Sequence, residues 1–311
     1  MERQMILKAL LFLFAAFSPL LFIGFINKTK AWWAGRKGAS VVQPYYDFTR
    51  LLRKGEVISK TTSFVFRCAP SVNIAAAFFA LLFIPMPLIG SIVSFPGDVI
   101  LFAYTLAAAK FLLVLAALDT GSSFEGMGAS REVTFSTLIE MAFFIVLGTL
   151  ALLTNQISFE AIFAMLTVSA GYSLLVKILL VASLFIMLLT EGSRVPVDDP
   201  ATHLELTMIH EVMILDYSGP DLAFMVYAAA MKMMLIALLI ANLCVPPYVS
   251  SITATVLFLG VLIVLSVAVG AVESFIARSR MSHVPQFIFL MTALSLTAFA
   301  VVAFFLRGGL S

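Results

Sequence analysis

Residues 169–244 read SAGYSLLVKILLVASLFIMLLT (169–190), EGSRVPVDDPATHLELTMIHEVMILDYSG (191–219) and PDLAFMVYAAAMKMMLIALLIANLC (220–244). The two flanking stretches are almost unbroken apolar sequence, each long enough for a helix to cross the ~30 Å hydrocarbon core of a bilayer. Neither has the polar alternation of a barrel strand, and only helices or closed barrels satisfy every backbone group in lipid. Two spans enclosing an acidic loop define a polytopic membrane protein. The rest of the 311 residues agrees: 62% are hydrophobic and 12% charged, with a mean hydropathy of +1.09. Soluble domains run nearer half apolar and a quarter charged, so a cytosolic globule and a disordered chain are both excluded. Nineteen basic and 17 acidic residues give a net charge of +2, too balanced for a nucleic-acid partner. Cys68 and Cys244 stand alone, without CxxC spacing. They cannot hold an iron-sulfur cluster or a thiolate zinc site, so any redox centre belongs to other subunits.

Eight apolar runs follow from the same reading, at 5–26, 69–90, 97–118, 134–153, 169–190, 220–244, 250–272 and 286–306. The expected fold is all-α and integral to the membrane, one domain over 1–311, with amphipathic helices in its loops. The first run, preceded by Arg3 and Lys8, has a signal-peptide alternative. Its length and the following Asn27, Lys28 and Thr29, in place of small cleavage-site residues, favour a retained helix. The apolar segment 157–169 either lengthens the fifth span or forms a short helix outside the bilayer.

Basic residues set the orientation. Thirteen lie in alternate loops, at 27–68, 119–133, 191–219 and 273–285, against Arg3, Lys8 and Arg307 on the other side. The positive-inside rule then puts those loops in the cytoplasm and both termini outside. No internal repeat of the transporter kind is visible.

Three of these loops carry chemistry. In the first, the stretch from Tyr45 to Lys54 sets Phe48, Leu51 and Leu52 on one helical face against Asp47, Arg50, Arg53 and Lys54. That pattern suits an interfacial helix on anionic lipid; a docking platform for a soluble partner fits equally. The glycine-rich segment from Asp119 to Val133 has neither P-loop nor dinucleotide spacing and reads as a tight turn against another polypeptide. In the third, Pro200 opens a helix, with Asp198 and Asp199 at its positive end. At 100° per residue His203, His210 and Glu211 share one face and Glu205 points away, so the helix is expected to touch partners on both sides, His210 titrating near neutrality. His210-Glu211 lacks the second histidine of a metalloprotease motif, because Ile214 occupies that position. No metal site is expected.

Within the spans lie Lys110, Glu140, Lys177 and Lys232, with Glu191 and Glu273 at helix ends. Ionisable groups in hydrocarbon face the protein interior and pair with one another. Alternating acids and bases there either relay protons or form static pairs that fix helix packing.

On these residues the chain resembles the membrane subunit shared by respiratory complex I, as its subunit 1, and the group 4 membrane-bound nickel-iron hydrogenases, such as formate hydrogenlyase and hydrogenase 4. The likeness rests on Arg36, Gln43-Pro44, Asp47, Leu51-Leu52 and Lys54 in the first loop. It continues through Glu191, Arg194, Pro196, Asp198, Glu205-Leu206 and Asp216-Tyr217-Ser218 in the acidic loop, and Glu140, Lys232, Glu273 and Ala277-Arg278 elsewhere. Asp119-Thr120-Gly121-Ser122 with Gly128-Ala129-Ser130-Arg131-Glu132 resembles the hydrogenase branch. Between Asp198 and Glu205 this chain is poorer in acids than the family. The resemblance implies a subunit without a redox centre of its own, anchoring a hydrophilic arm and linking electron transfer to proton or sodium movement. A stand-alone antiporter and a passive anchor are the alternatives. The implied ion path uses Lys110, Glu140, Glu191, Glu205, Glu211, Lys232 and Glu273. The implied docking set is Arg36, Gln43, Pro44, Asp47, Asp119, Arg131, Glu132, Arg194, Asp198, His210 and Asp216. The implied partners are hydrogenase-like large and small subunits, an iron-sulfur subunit, antiporter-like membrane subunits and membrane lipid. They would hold iron-sulfur clusters and, in the hydrogenase branch, a nickel-iron centre.

Overall fold

The computed structural model describes residues 2–87, 89–166, 171–198, 208–246, 249–277 and 279–308. Among the described residues there are ten α-helices: α1 (Glu2–Trp33), α2 (Gln43–Leu52), α3 (Phe64–Leu81), α4 (Asp98–Asp119), α5 (Ser123–Thr154), α6 (Phe159–Met165), α7 (Gly171–Glu191), α8 (Gly219–Cys244), α9 (Ser251–Phe275) and α10 (Val284–Gly308). Among the described residues, eight of these are long and apolar enough to cross a membrane, all except α2 and α6. The eight expected spans are therefore present.

Helix α8 is the axis of the bundle: 83% of its apolar window is buried, against 28% for α9 and α10. It packs on α3 and α7. The contacts α3–α4, α4–α5, α5–α10 and α10–α7 then close a six-helix ring, while α1 and α9 form a pair on its flank. Lipid supplies no hydrophobic drive between spans, so close approach of small residues does this work. At Gly270 of α9 an added Cβ would stand 2.7 Å from Thr29 Cβ and 2.9 Å from the Ile26 carbonyl, both on α1.

The loops between α1 and α3, α4 and α5, α7 and α8, and α9 and α10 converge on one end of the bundle. Asp119 Oδ2 accepts the Ser63 N–H at 2.6 Å, Thr61 Oγ1 donates to the Thr120 carbonyl at 3.2 Å, and the Ser279 N–H donates to the Pro196 carbonyl at 3.0 Å. At the opposite end Asp98 Oδ1 accepts the Phe159 N–H at 2.9 Å and its Oδ2 accepts from Ser158 Oγ at 2.8 Å, tying α4 to α6.

Several boundaries differ from the expected ones. The second span starts at Phe64, with Ser63 Oγ accepting the Val65 N–H as its cap. It stops at Leu81 rather than residue 90, because Pro85 and Pro87 cannot continue a helix. The glycine-rich segment is not a loop: α5 begins at Ser123 and absorbs it. At about 1.5 Å per residue, the 32 residues of α5 are roughly 48 Å long, so its first turns project beyond the hydrocarbon. Segment 157–169 yields the separate short helix α6. In the first loop α1 runs on to Trp33, and α2 packs on α1 and α8 with Phe48 5.4 Å from the Tyr227 ring.

Asp199, Pro200, His203, Glu205 and Thr207 lie outside the described residues, as does Arg278. The downstream part of the helix expected there is corrected: Glu211–Ile214 is a single 3₁₀ turn. Backbone groups that an α-helix would use are taken by side chains. Asp198 Oδ2 accepts the Ile209 N–H at 2.9 Å, and Arg131 Nη1 donates to the Met208 carbonyl at 3.0 Å.

A buried charge chain inside the bundle

Lys110, on the inner face of α4, has its ammonium in an ion pair with Glu191 Oε1, on the last residue of α7. Glu132 Oε1, on α5, is 3.7 Å away on the other side. Lys110, Glu140, Glu191 and Lys232 line a cavity of about 40 Å³ enclosed by α4, α5, α7 and α8. Lys110 and Lys232 are both buried, at 7% and 6% exposure. The ring of helices thus gathers four of the residues expected on the ion path. Glu132, expected to dock the arm, stands beside them.

A second cavity, of about 20 Å³, is lined by Glu132, Glu191, Ser193 and Asp198. A third, of about 240 Å³, is lined by Asn27, Ser193, Arg194, His210 and Glu211 among others, and lies at the loop end. Glu191 belongs to the first two spaces and Ser193 to the last two. The three cavities therefore form a series from the loops into the membrane-spanning ring. A water needs about 10–15 Å³ of such space and two or more polar partners, so each cavity is large and polar enough to hold one.

Glu273 lies in a separate ion group, buried between Arg194 Nη1 at 3.2 Å and Lys30 Nζ at 2.7 Å. This joins the ends of α1, α7 and α9. Lys30 was not singled out in the sequence, because it is one of nine bases in its loop and nothing in the spacing separates it from the others. Glu125 was missed as well. It is fully buried and its Oε1 accepts the Asp216 N–H at 3.0 Å, fastening the start of α8's loop to the first turn of α5. Its position three residues after the N-cap Ser122 is a helix-start signal that was legible.

The remaining expected docking residues divide in two. Arg36, Gln43 and Asp47 are exposed, with Gln43 Nε2 donating to Asp47 Oδ1 at 3.1 Å, and Pro44 is half-buried beside them. Asp216 is exposed too. Arg194 and Asp198 are buried within this chain, at 7% and 1% exposure, while the Asp119 carboxylate and the Arg131 guanidinium bond to its own backbone. His210 departs from the expectation of a near-neutral titration: burial, and then the Lys232 ammonium, push its imidazole down to about 4. Lys177 donates to the Leu166 carbonyl at 3.1 Å, just past the end of α6. It therefore braces the α6–α7 connection. Among the described residues no group of three His, Cys, Asp or Glu side chains is arranged to hold a metal ion.

A bundle with eight membrane-length helices and buried acids and bases behind its loops defines a class of integral membrane protein with a charged interior. The chain belongs to the family described as NADH dehydrogenase, which matches residues 6–303. It is 29% identical over 285 residues to hydrogenase-4 component C of Escherichia coli (strain K12), covering 88% of this chain and 89% of that one. It is 27% identical over 279 residues to formate hydrogenlyase subunit 4 of the same organism, covering 87% and 89%. Among solved structures, it is similar in fold to a chain of the membrane-bound sulfane sulfur reductase, an archaeal respiratory membrane complex, with a TM-score of 0.82 and 20% identity. That match covers 96% of this chain and 99% of the other.

Proposed function

We propose that this chain is the membrane subunit that anchors a hydrophilic redox arm and couples its electron transfer to proton or sodium movement. The observation that carries this reading is the series of cavities through which Glu191 connects the loop end to Lys110, Glu140 and Lys232. Because Lys110 lies between Glu191 and Glu132, a change of charge at either carboxylate alters its position between them. In this reading a rearrangement of the loop end that changes the charge at Glu191 is felt inside the ring, and coupling requires that the Lys110 pairs have a second arrangement. The Coulomb interaction is strong there because the surroundings are poor in water.

In this reading the long loops are cytoplasmic and both termini are outside, in a prokaryotic inner membrane, supported by the asymmetry of basic residues. The arm is hydrogenase-like, with large and small subunits and an iron-sulfur subunit, and antiporter-like subunits share the membrane. The names of the two Escherichia coli relatives, a hydrogenase-4 component and a formate hydrogenlyase subunit, support membership of a multi-subunit complex of this kind. Iron-sulfur clusters, with a nickel-iron centre where the arm evolves hydrogen, reside in those partners. The exposed Arg36, Gln43 and Asp47 form the outer docking surface, while Arg194 and Asp198 support it from beneath.

The test is extraction of the native membrane in mild detergent, with the tagged chain as bait. Soluble subunits carrying iron-sulfur clusters are expected to copurify, and Arg36→Glu is expected to reduce their retention while this chain stays inserted. A chain that purifies without any redox subunit and transports cations by itself would contradict the proposal.

A further inference from the structure

Helix α7 ends in a specific hydrogen-bonded motif. The Ser193 N–H donates to the Thr190 carbonyl at 3.2 Å, and the Arg194 N–H reaches back to the Leu189 carbonyl at 2.8 Å. This pairing is the Schellman ending, and it puts the residue at its turning point in the left-handed region. Ser193 occupies that point with φ +50°. Glycine is the residue that adopts such a conformation without a steric penalty, and an L side chain there is strained. The neighbouring glycine cannot fill the role: a Cβ at Gly192 would stand 2.7 Å from Met233 Sδ and from the Leu188 carbonyl, so α8 requires glycine at 192. Serine at 193 therefore has a local cost that the helix ending itself does not explain.

Its place in the cavity series supplies a reason. Ser193 lies at the boundary between the outer cavity, with Arg194, His210 and Glu211, and the middle cavity, with Glu132, Glu191 and Asp198. Among the described residues its hydroxyl makes no hydrogen bond, so both its proton and its lone pairs are available to groups or waters on either side. Ser193 is followed by Arg194, whose guanidinium is committed to Glu273, and the half-buried His210 is held neutral at ordinary pH.

We propose that the Ser193 hydroxyl is the proton relay across the boundary between the outer and middle cavities. This rests on the coupling function proposed above and adds to it the carrier and the ion. The oxygen accepts a proton from the Glu211 carboxyl, in its protonated form, in the outer cavity and releases its own to the Glu191 carboxylate, directly or through a water. One O–H bond forms as another breaks, and the serine is unchanged. An exchange of O–H bonds moves a proton, whereas sodium could only be ligated by the hydroxyl oxygen, so proton movement in sodium-free medium is the readout specific to the relay.

The experiment uses the complete complex in sealed vesicles in sodium-free medium, reading protons moved per electron transferred. Ser193→Ala is expected to lower that ratio several-fold. Ser193→Gly is the decisive variant, because it relieves the backbone: it should assemble and resist heating at least as well as the native chain yet still lose coupling. A merely structural serine predicts the opposite, unimpaired coupling with glycine, and that result would overturn the relay. Glu140→Gln run in parallel separates the two levels. If it uncouples while Ser193→Gly does not, only the relay fails; if neither uncouples, the coupling function itself fails.

Discussion

The Lys110 ammonium on α4 is ion-paired with Glu191, the last residue of α7 and 81 positions away in sequence. The pair joins the middle of one span to the point where another span gives way to the acidic loop. Lys110 also faces Glu132 at 3.7 Å, so one base serves two carboxylates on different helices.

Breaking this pair from one side should be worse than removing it. Lys110→Met leaves carboxylates buried without their partner, a change that costs about 3–5 kcal/mol in buried pairs, whereas removing all the charges of such a group is often close to neutral. The thermal midpoint in mild detergent is therefore expected to fall markedly in Lys110→Met, to recover in part in Lys110→Met/Glu191→Gln, and to recover further when Glu132→Gln is added, because Glu132 faces the same ammonium. A double variant as unstable as the single one would mean that the helices depend on Lys110 for packing and not for charge.

Two tyrosines make a second set of predictions. Pro19 interrupts α1, and proline withdraws the N–H that would bond a carbonyl one turn earlier. The nearby carbonyls are met by hydroxyls: Ser18 Oγ donates to Ala15 at 2.9 Å, Tyr227 to Ala16 and Tyr45 to Phe17. Tyr45→Phe should cost about 1 kcal/mol and loosen α2 from α1, read as faster limited proteolysis between residues 35 and 42. Unchanged cleavage would show that Phe48 against Tyr227 holds α2 alone.

Acid should weaken the loop end through His210. Its imidazole is held at about 4 in the folded chain against an ordinary 6.5, so between those values the unfolded state binds the extra proton. Stability from this group is complete above pH 6.5 and is lost as pH falls toward 4. His210→Gln, which cannot titrate, should flatten the fall of the thermal midpoint across that window. An equally steep fall in the variant would assign the acid sensitivity to other groups.

The sequence made the spans legible because a bilayer imposes length and polarity on each one; the number of spans and the mid-span positions of Lys110 and Lys232 follow from that. It did not show that Glu132 turns inward. Glu132 lies in a segment whose glycines read as a turn, and only the continuous helix from Ser123 puts it on the face of α5 that meets Lys110. Nor did it show that Arg194 and Asp198 are buried, since a loop rich in charge reads as solvated unless its partners are known. Arg194 finds Glu273 from 79 residues away, and no local pattern encodes that. The reading of His210 and Glu211 as one face of an α-helix failed for a related reason: Arg131, 77 residues away, and Asp198, 11 residues away, take backbone groups just before them that a continuous helix would bond within itself.

The central claim is that the charges inside the ring move ions and do more than hold helices together. The most direct measurement is the number of ions translocated per electron by the reconstituted complex carrying Glu140→Gln or Lys232→Met, with assembly and electron-transfer rate measured on the same vesicles. The account predicts normal assembly, electron transfer close to native and a several-fold lower ion-to-electron ratio in both variants. Native coupling in both, with the complex intact, would contradict it and leave these residues as static braces.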